Sequence, residues 1–362
     1  LGLFTRESGI VVGVDISSTG IKVAELTRVR SGFQLRTMAI VPLTRDAIVE
    51  GTIVDSKAVT EALKQAFDIA RPSTRNVSFA VSGNAVIIKT ITIPTMTEFE
   101  LESQIRFEAE QFLPFDIDEV YLDFQILGET PHDPEAMEVL VVACKRDVID
   151  DFRLALSDAG LQTKLVDCAV FCTGNAFELL HQKTSRASRA NAQQPAGGEE
   201  QADALVNIGA SMININIVCR GRTRFVRDLF FGGNNLTEEI RKAHGLTFDA
   251  AEQVKLKNFS GIGESVLDEF YIQLVSDLGR SLDYYAANNA EYPVGRMYLS
   301  GGCALIPGIA GELEQRLGVE TRVFNPFESV KLPKRKYDQA YLDETGPRMV
   351  IALGLALRSF DQ

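Results

Sequence analysis

The chain starts the same β pattern twice. Residues 11–16 are apolar apart from Gly13 and Asp15, break at a turn of Ser17, Ser18, Thr19 and Gly20, and resume as a second apolar-rich strand over 21–26. Residues 204–209 restart that pattern and again lead through a turn into a second strand, at 213–219. Self-similarity of this kind implies two related halves. A length of 362 residues accommodates about two or three domains with ample core. Between the halves, residues 182–203 contain no Val, Ile, Leu, Met or aromatic residue. Such a stretch cannot bury enough surface to offset its ordering entropy, so the sequence predicts a flexible linker there.

Within the first half, strands at 11–16, 21–26 and 33–41 separated by tight turns predict an antiparallel meander. The period changes at 55–70, where Val59, Ala62, Leu63, Ala66 and Phe67 fall on one face of a helix. A strand returns at 77–81. Residues 85–163 read as an inserted α+β unit. It contains a strand at 86–93, a helix opened by the Thr97-x-x-Glu100 capping box, strands at 120–126 and 138–144, and a helix at 146–159. The second half carries its own helical insertion over 233–293, then a strand at 296–299, the Gly301-to-Gly308 turn and a final helical run at 348–359. The overall class is α/β.

Charge narrows the function. Lys and Arg number 37 against 49 Asp and Glu, a formal charge of −12, which argues against a nucleic acid held by bulk electrostatics and against direct docking on an anionic bilayer. No run approaches the ~20 apolar residues of a spanning helix. The opening is too short and too soon charged for a signal peptide, and a chain that begins at Leu1 is consistent with a short trim. Four of the five cysteines sit in apolar runs, as buried free thiols do, and the Cys168-x3-Cys172 pair lacks the companions zinc requires. This usage predicts a reducing, cytoplasmic compartment.

Four turns carry candidate chemistry. Asp15 ends a strand, the hydroxyls of Ser17, Ser18 and Thr19 follow, and Lys22 lies on the next strand. Such a turn can cradle a phosphate through backbone N–H groups, with Asp15 holding Mg²⁺ through water, or it is a solvated hairpin. Asn207, Gly209, Ala210 and Ser211 occupy the matching place in the second half. Gly232 and Gly233 precede a helix on which Glu239 and Lys242 share a face, either at a ligand or as a surface ion pair. Gly301, Gly302 and Cys303 form a turn where backbone can approach a ligand closely.

In this order the four turns resemble the ATPase superfamily of actin, the heat-shock chaperones and the sugar kinases. Within it, the residues from Asp15 to Lys22 and the inserted 85–163 unit are similar to the PilM family, actin-like proteins of type IV pilus assembly; the cell-division protein FtsA is the next relative. The segment from Phe107 to Phe115, Val166-Asp167 and the Ala251-Glu-Gln-Val-Lys255 run carry further similarity. The resemblance implies a two-lobed actin-like fold. Subdomain 1A would comprise 1–84 and 164–181, an inserted 1C-like subdomain 85–163, subdomain 2A 204–232 and 294–362, and subdomain 2B 233–293. It implies ATP or ADP with Mg²⁺ clamped between two phosphate hairpins. Asp15, Ser17, Ser18, Thr19 and Lys22 would form one; Asn207, Gly209, Ala210 and Ser211 would form the other. Gly233, Glu239 and Lys242 would flank the adenosine, and Gly301, Gly302 and Cys303 would meet it through backbone.

Two departures bear on activity. Asn207 stands where the second hairpin of such proteins has Asp, and an amide cannot take a proton. The segment joining the hairpins, which usually offers Gln or Glu to the attacking water, has Cys168 or Ala169. No residue is therefore assigned a catalytic role, and the expectation is nucleotide binding with little or no hydrolysis. By resemblance, the protein is a scaffold at the cytoplasmic face of the inner membrane. It would bind the N-terminal cytoplasmic tail of PilN and other pilus assembly proteins, and reach the membrane only through them. The tail would lie between the first lobe and the 85–163 unit, where the strand at 86–93 and the helix at 98–113 are either groove or plain core. The alternatives are an active ATPase and an FtsA-like polymer; the sequence ends without the amphipathic helix of an FtsA-like tether. The basic patch at 331–336 reads as a solvated loop or a partner contact.

Overall fold

The opening strands are nearly continuous apolar runs, as strands buried on both faces are, and the turns between them are too short for anything but antiparallel pairing. In the computed structural model, which describes residues 10–30, 32–130, 133–190, 200–333 and 337–360, β1 (Val12–Ser17), β2 (Gly20–Val29) and β3 (Gly32–Pro42) form the expected meander. The opening residues 1–9, positions 191–199 of the apolar-free stretch and 334–336 of the basic patch lie outside the described residues.

A hairpin of β4 (Ile48–Val49) and β5 (Thr52–Ile53) leads to α1 (Ser56–Ala70), which buries the stripe read from the sequence together with Thr60 and Ala70. Asp55 caps its first turn by accepting from Ala58 N–H. β6 (Asn76–Val81) then pairs parallel with β1. The inserted unit follows: β7 (Val86–Pro94), α2 (Glu98–Glu110), β8 (Val120–Thr130) and β9 (Asp133–Lys145), with β9 central in a three-stranded sheet. Leu101, Ile105 and Ala109 of α2 pack on one face of that sheet. The next helix, α3 (Arg146–Asp158), behaves differently from α2. Val148, Ile149, Phe152, Ala155 and Leu156 join the core beneath the first sheet, beside α1.

β10 (Gln162–Cys168) completes a sheet of order β10-β6-β1-β2-β3 and runs straight into α4 (Ala169–Ala190). The helix passes position 182, where the sequence predicts a linker. Loss of apolar residues removes a core-facing stripe, but Ala, Arg, Lys and Gln keep their intrinsic helix propensity. The second half repeats the plan. β11 (Ala202–Ile208), β12 (Ile213–Cys219) and β13 (Arg222–Leu229) form a meander. The helices α5 (Gly233–His244), α6 (Phe248–Lys257) and α7 (Glu264–Asn288) follow. β14 (Val294–Ser300), α8 (Ile309–Leu317) and β15 (Glu320–Val323) close a sheet of order β13-β12-β11-β14-β15. α9 (Gln339–Thr345) leads to α10 (Val350–Leu357), buried at every position.

Two helices join the sheets. α4 leaves the first and packs Ala176 and Phe177 against Leu205 of the second, while α10 returns to the first. A Cβ on Gly354 of α10 would lie 1.9 Å from Cys172 O of α4, and one on Gly13 of β1 would lie 2.0 Å from Ala352 O. Both glycines are there because backbone meets backbone. Among the described residues, no helix is long and apolar enough to cross a membrane.

Candidate functional site

The first turn is built on an ion pair. Asp15 and Lys22 stand opposite each other on β1 and β2, and Lys22 Nζ donates to Asp15 Oδ2 at 2.7 Å and to Ser17 Oγ at 2.9 Å. Each charged side chain is 10% exposed, so the pairing offsets the desolvation cost of burying both charges. Ser17 pairs with Gly20, which leaves Ser18 and Thr19 as a two-residue turn. A Cβ on Gly20 would come within 2.5 Å of Val41 O. Three hydroxyls and a fixed ammonium thus gather at one sheet end, a donor set suited to an anion.

The second turn faces the first. Ser18 Oγ and Ser211 Oγ are 3.0 Å apart across the cleft. Ile208 pairs with Ile213, and Gly209 N–H donates to Met212 O at 2.8 Å, closing a four-residue turn. The start of α5 holds this turn from behind: Gly233 N–H donates to Gly209 O at 3.0 Å and Asn234 N–H to Ala210 O at 2.7 Å. The free N–H groups of a helix N-terminus are satisfied in this way. Asn207 is buried; its Nδ2 donates to Asn214 Oδ1 at 3.2 Å and its Oδ1 accepts from Ser300 Oγ at 3.3 Å.

The two glycine turns converge on the same place. A Cβ on Gly301, whose φ is +85°, would lie 2.4 Å from Ile208 O, and Cys303 Sγ donates to Gly209 O at 3.2 Å. Burial pushes the Cys303 thiol up to about 11, with Lys255 opposing. A Cβ on Gly233 would meet Cys303 Sγ at 2.9 Å and Lys255 Nζ at 3.3 Å. Gly302 differs, being exposed with nothing within 4 Å of an added Cβ.

The Glu-x-x-Lys pair chosen from the sequence lies elsewhere. Lys242 is exposed and bonds Glu239 at 2.8 Å, down α5 from the turn. A second pair with the same spacing lies at the cleft, Glu252 and Lys255 of α6, 2.6 Å apart. Lys255, 11% exposed, also donates to Gly233 O at 3.0 Å and to Thr237 Oγ1 at 2.6 Å. The spacing was readable in the sequence; which of the two pairs faces the turns depends on how α6 folds back on α5.

Two further positions complete the geometry. Cys168, at the junction to α4, is buried, and burial raises its thiol well above the ordinary value, with Asp167 adding to it. A neutral, enclosed thiol offers a water molecule no base. Asp228 of β13 was not singled out by the sequence. It accepts from Asn214 Nδ2 and from Gly83 N–H, both at 2.7 Å, while burial pushes its carboxyl above the usual range. The donor set fits a nucleotide's phosphates between the turns. Among the described residues no group of three or more His, Cys, Asp or Glu gathers to hold a metal. At the first turn Asp15 is the acid available to an ion that keeps most of its water.

Comparison with known proteins bears on the fold and the family. A solved structure of a PilM–PilN type IV pilus biogenesis complex is 27% identical, covers 98% of this chain and 100% of that one, and superposes with a TM-score of 0.85. The ethanolamine utilization protein EutJ of Carboxydothermus hydrogenoformans is 15% identical over 98% of this chain and 94% of its own, with a TM-score of 0.54. MreB5 of Spiroplasma citri bound to AMPPNP is 12% identical over 96% and 95%, with a TM-score of 0.50. These two show the actin-like ATPase fold. The family described as type IV pilus assembly protein PilM matches residues 13–360, and the chain belongs to that family.

Proposed function

We propose that this protein is a nucleotide-loaded scaffold of the type IV pilus assembly platform, holding ATP or ADP between its two turns with little or no turnover and binding the N-terminal tail of PilN. The observation that carries the nucleotide reading is the meeting of Ser18 and Ser211 at 3.0 Å, with Lys22 and Lys255 on either side. A polyphosphate entering between the turns replaces one hydroxyl–hydroxyl bond with bonds to both hydroxyls, and Lys22 supplies charge it already holds in place. Glu252 and Lys255 replace Glu239 and Lys242 as the residues expected beside the nucleoside. Mg²⁺ at Asp15 would shield the phosphate charge.

Weak turnover follows from the neighbours of the phosphates. Both polar atoms of the Asn207 amide are engaged, with Asn214 and Ser300, and neither takes a proton. Cys168 is equally unsuited. The PilN reading rests on the similarity to the solved PilM–PilN complex over 98% of the chain, and a location at the cytoplasmic face of the inner membrane is proposed as its consequence.

The test begins with equilibrium binding of Mg-ATP. Lys255→Ala is expected to weaken binding about tenfold or more, while Lys242→Ala leaves it unchanged, since an exposed pair contributes little. Phosphate release at saturating Mg-ATP is then compared for wild type and Asn207→Asp; turnover only in the variant supports the loaded scaffold, and brisk wild-type turnover sinks it. Titration with a synthetic PilN N-terminal peptide checks the partner, and absence of binding at high micromolar peptide would remove it.

A further inference from the structure

The rung that begins at Asn207 crosses the whole second meander. The register sets Asn207 of β11 opposite Asn214 of β12, and Asn214 opposite Asp228 of β13. The side chains follow the same line: Ser300 Oγ donates to Asn207, Asn207 to Asn214, and Asn214 to Asp228. The line does not stop at the sheet. Asp228 Oδ2 accepts Gly83 N–H at 2.7 Å, and Gly83 lies just beyond β6 of the other lobe. Gly83 has φ +90°, and a Cβ there would lie 3.1 Å from both Glu50 O and Met212 Cε. Its backbone is therefore seated between a loop of the first lobe and the second turn. The corresponding rung of the first meander is Asp15, Lys22 and Ile40; it ends on an apolar residue and ties nothing across.

We propose that Asp228 is a latch between the lobes, holding the Gly83 loop against the second turn and, through Asn214, fixing the orientation of Asn207, so that opening of the cleft and release of Asn207 are one event. The inference rests on the reading of the cleft as a nucleotide site. Its consequence is that nucleotide exchange is gated by a bond that no nucleotide atom needs to touch. A carboxylate suits the task because it accepts from a donor in each lobe at once, and an amide of the same shape cannot. Asp228 is a positioning residue; it acts on the site through Asn214.

Three forms of the full chain decide the matter: wild type, Asp228→Leu and Asp228→Asn. Leu removes both acceptors, so the bonds to Gly83 and to Asn214 are lost together. Asn keeps one oxygen for Gly83, and reversal of the Asn214 and Asn207 amides, with Ser300 Oγ accepting, lets the line re-form without the charge. Without nucleotide, hydrogen exchange at the Gly83 amide is expected to rise about tenfold or more in Asp228→Leu, the size of a hydrogen bond to a charged group, and to lie closer to wild type in Asp228→Asn. Dissociation of a fluorescent ATP analogue is expected to accelerate by a similar factor in Asp228→Leu and by less in Asp228→Asn. Unchanged Gly83 exchange in Asp228→Leu overturns the latch. A response at Gly83 without one in dissociation overturns the coupling to the site. If no form binds the analogue, the nucleotide reading fails, and Gly83 exchange still decides whether the latch exists.

Discussion

On β1 and β2, Asp15 stands opposite Lys22; on β11 and β12, again seven residues apart, Asn207 stands opposite Asn214. The two rungs share a register, a topology and a place at the end of a meander. One holds an ion pair bonded at 2.7 Å, the other an amide pair at 3.2 Å whose charge sits a strand further out, at Asp228. A ladder position therefore dictates where a side chain points and leaves its chemistry open. The first turn keeps a cation ready for an anion, whereas the second has replaced charge by neutral hydrogen bonds and uses its carboxylate to grip the opposite lobe.

The comparison is broken most readily at the charged rung. Lys22→Met keeps the volume and leaves Asp15 buried without its cation, and is expected to cost about 3–5 kcal/mol in chemical denaturation. Asn214→Leu, the matching change, is expected to cost about 1–3 kcal/mol, because Asp228 loses one donor but keeps the Gly83 N–H. Equal losses would mean that the two rungs differ in composition but not in energetic role. Next come the turn glycines. A Cβ would lie 2.5 Å from Val41 O at Gly20 but 3.0 Å from Met212 O at Gly209, so Gly20→Ala is expected to lower stability by about 1–3 kcal/mol and Gly209→Ala by less. Reversed order in thermal unfolding would show that the second turn is the stiffer. The smallest effect is a pH slope to which the second turn contributes. The Cys303 thiol is pushed from 9.0 to about 11 by burial, so between those values the unfolded chain binds fewer protons than the folded one. This stabilisation is present below pH 9 and lost as pH rises toward 11, by at most about 1.4 kcal/mol per pH unit. Cys303→Ser is expected to reduce that slope by its own share, the buried thiols of Cys144, Cys168, Cys172 and Cys219 contributing the rest.

Much of this architecture was legible in the sequence, for local reasons. Apolar runs broken by tight turns indicated the first meander and the first two strands of the second, the stripe from Val59 to Phe67 indicated α1, and the Thr97–Glu100 box indicated the start of α2, because each depends on neighbours in the chain. The site was legible where it lies on a turn. Composition misjudged the end of α4, whose backbone hydrogen bonds need no apolar stripe. Spacing alone could not separate Glu239–Lys242 from Glu252–Lys255, since both are three apart on helices and only tertiary packing turns one toward Gly233. Asp228 was out of reach altogether: its partners come from two lobes, and nothing within the run from Arg222 to Leu229 announces a donor at Gly83.

The seating of α10 on β1 has a consequence for how the chain is made. Gly13 lies against Ala352, Ser78 Oγ donates to Leu355 O, and Val11 N–H donates to Ser359 Oγ, so the first sheet is finished by residues about 280–350 positions later. A ribosome adding about 5–20 residues each second needs roughly 20–70 s to deliver them. Through that interval the strands synthesised first expose the face reserved for α10, and the nascent chain depends on chaperones or on the speed of translation to protect it.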